Sequence, residues 1–96
     1  MKTTKTYIDG YDKFENIDDF KFSLIHGREI IIEWADIEYT ILNEGENNDR
    51  FSVCEANKPE TEIIFNSVDE LLECTLKAGK KLKDIITQAQ VNWRNL

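Results

Sequence analysis

Ninety-six residues make one domain with room for a modest core, and 41% hydrophobic with 10% aromatic content is too apolar for a disordered chain. A formal net charge of −7 opposes direct binding to nucleic acid or an anionic membrane, and no apolar run approaches the roughly 18 residues of a membrane span. The polar stretch Met1 to Asp12 has no signal-peptide character, so a cytoplasmic location is expected. Charge is uneven along the chain: residues 1–70 carry 17 acidic and 7 basic side chains, residues 71–96 carry 2 and 5. The acidic part is soluble surface or a face for a basic partner.

Met1 to Glu15 reads as irregular chain or a short edge strand, and Tyr7, Tyr11 and Phe14 suggest that it lies against the body. A helix follows. Asn16 can cap it, Asp19 stands at the third helical position, and Ile17, Phe20 and Leu24 recur at helical spacing with Ile25 beside them. His26 falls in its last turn, and Gly27 is the expected left-handed residue that ends it.

Arg28 to Asn43 then forms a hairpin with two distinct faces. Ile30, Ile32, Trp34, Ile37, Tyr39 and Ile41 fall on the core face; Glu29, Ile31, Glu33, Glu38, Thr40 and Leu42 fall on the other. Ala35-Asp36 is a poor two-residue turn, since the primed turns want Asn or Gly, but a four-residue turn over Trp34–Ile37 keeps the same faces. After a polar loop, Asn43 to Asp49, a third strand is expected over Arg50 to Glu55 with Phe51 and Val53 inward. A turn follows over Ala56 to Pro59, and then a fourth strand over Glu60 to Phe65 with Ile63 and Phe65 inward. Ser67 with Glu70 makes a capping box for a short second helix ending near Thr75 or Leu76. Gly79 breaks the chain, and Leu82, Ile85, Ile86 and Ala89 pattern a third helix, which Val91 and Trp93 extend or follow as a tail. The expected fold is α+β in a single domain, 1–96: a short N-terminal helix, a four-stranded antiparallel sheet and two C-terminal helices packed on one sheet face.

Three stretches carry a resemblance. They are Phe20 to Leu24 with Gly27-Arg28-Glu29-Ile30, Phe65-Asn66-Ser67-Val68-Asp69-Glu70-Leu71-Leu72, and Gly79-Lys80-Lys81-Leu82-Lys83-Asp84-Ile85. Together they resemble a group of short uncharacterised proteins of Gram-positive bacteria and their mobile elements, which look like a small sheet flanked by helices. The group has no known activity, so the resemblance assigns no functional residue. It implies at most an accessory protein, one form of which would inhibit a host protein.

Catalytic patterns are missing. His26 is the sole histidine, there is no nucleophile elbow, P-loop or dinucleotide fingerprint, and Cys54 and Cys74 read as reduced thiols, one in a strand and one in a helix. Asp9, Asp12, Asp18 and Asp19, or Glu44, Glu46 and Asp49, could approach a cation, but neither run follows a calcium-loop pattern. Lys77, Lys80, Lys81 and Lys83, with Arg94 beyond, form a short basic cluster without an aromatic platform. The outer sheet face is more distinctive: Glu33 opposes Glu38, Glu29 lies nearby, Glu62 can join them, and Ile31 and Leu42 lie among the carboxylates. Opposed like charges are unfavourable by a few tenths to ~1 kcal/mol unless a basic partner relieves them. The expectation is therefore a non-enzymatic acidic binding or regulatory module with no catalytic residue, metal or cofactor. Its candidate surface is Glu29, Ile31, Glu33, Glu38 and Leu42, its partner a basic protein surface, and a homodimer is compatible with it. A nucleic-acid mimic that blocks a basic groove, and a carboxylate-based cation binder or enzyme, are the alternatives.

Overall fold

The computed structural model describes residues 12–95. Helix α1 (Ile17–Gly27) is followed by strands β1 (Glu29–Trp34), β2 (Ile37–Asn43), β3 (Phe51–Glu55) and β4 (Lys58–Phe65), two short helices α2 (Val68–Leu72) and α3 (Leu82–Ile85), and strand β5 (Gln90–Arg94). The sheet is antiparallel, with order β4-β3-β2-β1-β5. Among the described residues the expected four-stranded sheet is therefore corrected to five strands. The C-terminal stretch around Val91 and Trp93 is neither helix nor loose tail but the strand that closes the β1 edge, pairing Ile32 with Val91 and Ile31 with Trp93. Asn92 is the extra residue of a bulge there, and that interruption hides the period-2 signal of so short a strand.

The hairpin register agrees with the sequence pattern, pairing Ile30 with Ile41, Ile32 with Tyr39 and Glu33 with Glu38. Ile30, Ile32, Tyr39, Ile41, Phe51, Val53 and Val91 pack from the sheet against Phe20 and Leu24 of α1, Leu71 and Leu72 of α2, and Leu82 and Ile85 of α3. All three helices thus cover one face, α1 against β1, β2 and β5, and α2 against β3 and β4. Trp34, expected in the core, is only half-buried, because it pairs with Ile37 at the turn end of the hairpin, beyond the last β1–β5 pair, Glu33 with Gln90. The turn between them is the tight two-residue type: Ala35 has φ 53° and Asp36 φ 65°. Ala35 is ill suited to that region and Asp36 less so than a glycine would be, so replacing the pair by Asn-Gly should raise the unfolding free energy by about 1 kcal/mol in a urea titration.

The helix ends follow local chemistry, with one correction. The Asn16 side chain accepts from the Asp19 N–H (2.8 Å), while the Asp19 carboxylate accepts from the Glu15 N–H (3.0 Å). Gly27, expected to be left-handed, is the last helical residue, and Arg28 takes the left-handed conformation (φ 70°). A glycine is still needed at 27, since a Cβ there would lie 2.5 Å from the Asn95 carbonyl oxygen. Arg28 is held in place by donating to the Gly45 carbonyl (2.8 Å). At α2 the Ser67 hydroxyl accepts from the Glu70 N–H (3.1 Å) and the Glu70 carboxylate accepts from the Asn66 N–H (3.0 Å). Ser67→Ala should cost about 1 kcal/mol, read as a shifted urea midpoint. The helix stops at Leu72, earlier than expected, so Cys74 lies in the following connection, where the Leu82 N–H donates to its carbonyl (2.9 Å). The α3 pattern survives as packing: Leu82, Ile85, Ile86 and Ala89 are all buried although the helix is one turn long.

Candidate functional site

Residues Glu29, Ile31, Glu33, Glu38 and Leu42 share the sheet face away from the helices, as their pairings Glu29–Leu42, Ile31–Thr40 and Glu33–Glu38 require. That face is not simply a row of solvated carboxylates. Glu38 is exposed, but Glu29, Ile31, Glu33 and Leu42 are half-buried. Asn92, itself 8% exposed, donates its amide to Glu33 Oε1 (3.3 Å) and Glu38 Oε2 (2.9 Å) and accepts from Gln90 Nε2 (2.6 Å). The opposed pair is therefore bridged from within the chain, by a residue that sequence reasoning could not link to it without β5. Glu62 lies on β4, and with Glu44 it raises the Cys54 thiol above its ordinary value, behind the larger effect of burial. Cys54 and Cys74 are both free, and burial raises Cys74 too, so each thiol stays protonated near neutrality.

The remaining candidates are distributed over the molecule. Asp12 and Asp19 are both engaged by Arg94, and Glu44 by Arg50 (3.5 Å); Asp9 lies outside the described residues, as do Tyr7 and Tyr11. Among the described residues no three His, Cys, Asp or Glu side chains are grouped to hold a metal ion. His26 is exposed and its ring packs on that of Phe22, 4.2 Å between centroids. The basic cluster does not make a stripe: Lys77 reaches Glu55, Lys81 and Lys83 converge on Glu73, and Arg94 is on the far strand. The Lys83 and Lys81 hydrogen bonds hold the Glu73 carboxyl down to about 2, and Lys83 is raised in return. A depressed carboxyl stabilises the fold above its unfolded value and loses that contribution as pH falls through the folded one. Glu73→Gln should therefore flatten the part of the acid-unfolding profile that lies between the ordinary glutamate range and pH about 2, followed by circular dichroism.

Two features mark the β4 side. Ile63 and Ile64, on opposite faces of that strand, are 49% and 40% exposed. A cleft of about 70 Å³ opens between β4 and the α2–α3 connection, lined among others by Tyr39, Thr61, Ile63, Cys74, Leu76 and Lys77. Tyr39 is 3% exposed, and its hydroxyl has no hydrogen-bond partner of good geometry among the described residues. Burial raises that phenol above its ordinary value, against a smaller lowering by the Lys77 backbone. The signal in the sequence was the run Glu60 to Phe65, whose inward residues could not be known to lie on an uncovered edge. Among the described residues no helix is long and apolar enough to cross a membrane. No family model matches the chain, and neither a curated protein nor a solved structure does.

Proposed function

We propose that the chain is a small acidic module that binds a basic protein surface by non-covalent contact and does no chemistry itself. The observation that carries this reading is apolar surface left in water and framed by carboxylates on the outer sheet face: Ile64 beside Glu60 and Glu62, continued across the sheet by Glu29, Ile31, Glu38 and Leu42. Apolar contact would supply affinity, and the carboxylates would steer encounter and reject acidic competitors. Titration with a lysine-rich peptide, followed by backbone amide NMR shifts, should give a saturable complex weakened by salt, with shifts clustered on the sheet surfaces named here. Shifts spread evenly over every carboxylate of the molecule, or none, would reject the reading. A rise in thermal midpoint with calcium or zinc would instead favour a cation-binding protein.

A further inference from the structure

Strand β4 forms one edge of the sheet, and among the described residues no further strand pairs with it. In an antiparallel edge strand every second residue turns its N–H and C=O away from its neighbour, which leaves a template for another chain. The opposite edge is already partly closed, since the Val91 N–H of β5 donates to the Asp12 carbonyl (2.9 Å). The edge of β4 also runs beside a groove. The cleft holding Tyr39, Thr61 and Ile63 meets, at Cys74, a shallower depression formed by Phe65 with Asp69, Glu70 and Glu73. The inward residues Thr61, Ile63 and Phe65 thus line one wall along the second half of the strand, and Tyr39 lines the cleft beside them. Residues 58–72 carry four acidic side chains against one lysine, and Glu60 and Glu62 share the face of β4 turned away from the groove.

We propose that the β4 edge takes up an extended segment of a partner protein in which apolar and basic side chains alternate, added to the sheet as a further strand. This rests on the reading of the chain as a protein-binding module and names its partner chemistry. Backbone pairing with β4 provides the common affinity. Apolar side chains on one face of the added strand enter the groove over Ile63 and Phe65, and basic ones on the other face meet Glu60 and Glu62. A second copy of this chain fits the edge poorly, because pairing β4 with itself brings Glu60 and Glu62 of two chains of net charge −7 together. Those carboxylates, with Pro59, discourage self-pairing of the edge while leaving it open to a basic strand.

The test uses the full chain and two short peptides of lysine and valine, about as long as β4, one strictly alternating and one with the same residues in blocks. The alternating peptide should bind more tightly by about tenfold or more and should shift amides of residues 60–65 and 74–77. Methylating its backbone nitrogens at every second residue should abolish binding in one frame and spare it in the other, a readout that simple charge attraction cannot produce. Glu60→Lys with Glu62→Lys, both at exposed positions, should weaken binding and reduce its salt dependence. Equal, salt-sensitive binding of both peptides, with shifts on Glu29, Glu33 and Glu38, would overturn the edge proposal and leave the acidic-module reading standing. No shift with either peptide at millimolar concentration would overturn both. A dimer paired through β4, or cross-peaks in the free protein between β4 amides and the chain's own first eleven residues, would assign the edge to another occupant and overturn the proposal.

Discussion

Arg94→Ala should lower the unfolding free energy by about 3 kcal/mol, the largest loss expected from a single polar side chain in this molecule. The Arg94 side chain is 15% exposed and lies on the β5 residue paired with Ile30. Its guanidinium donates to Asp12 Oδ1 (3.0 Å), to both Asp19 oxygens (3.2 and 3.3 Å) and to the Ser23 hydroxyl (3.4 Å), and it sits 4.9 Å from the centre of the Phe14 ring. One side chain thereby joins the segment before α1, the first turns of α1 and β5. Truncation removes its contact with Phe14, whose ring also meets Phe20 edge-on, and leaves two carboxylates without their shared cation. Arg94→Lys keeps the charge but loses the fork that reaches both aspartates, so it should fall between the two. Urea titrations of the three proteins check the order. A loss under about 1 kcal/mol for Arg94→Ala would mean that this network is screened like an ordinary surface pair.

The hairpin and the two N-caps were legible in the sequence because their signals are local. Alternation from Glu29 to Leu42 decides which side chains share a face, and Asn16 and Ser67 each precede the helix they cap by one residue. What could not be read depends on partners distant along the chain. β5 is five residues long and carries a bulge, so its pattern is too brief to separate from a helix end; only the unpaired edge of β1 selects it. Gly27 illustrates the same limit. The expected positive φ belongs to Arg28, and the constraint at position 27 is the close approach of Asn95, sixty-eight positions on. At the candidate surface, the Glu33–Glu38 opposition follows from hairpin register alone, whereas its bridge through Asn92 and the exposure of Ile63 require the strand order.

Asn92→Ala should cost about 2 kcal/mol, because it removes a buried amide that serves three partners. In the intact chain the Asn92 amide nitrogen bridges Glu33 and Glu38 across the strand pair, and its oxygen accepts from Gln90. Without it the two carboxylates face one another with no donor between them, and the Gln90 amide loses its acceptor. The electrostatic share of that cost can be isolated. In a Glu38→Gln background the opposed charges are already gone, so Asn92→Ala should cost less there, by about 1 kcal/mol, and the two changes should be non-additive in a double-mutant cycle. Salt should reduce the deficit of Asn92→Ala alone, since it screens the exposed Glu38 carboxylate. The Asn92 bridge also decides the effect of Glu38→Lys. A lysine opposite Glu33 gains a cross-strand ion pair but gives up the hydrogen bond from Asn92, so its stability should stay within about 0.5 kcal/mol of the parent rather than rise clearly above it. Additive effects of Asn92→Ala and Glu38→Gln would show that Asn92 stabilises β5 through its own burial and not by bridging the acidic pair.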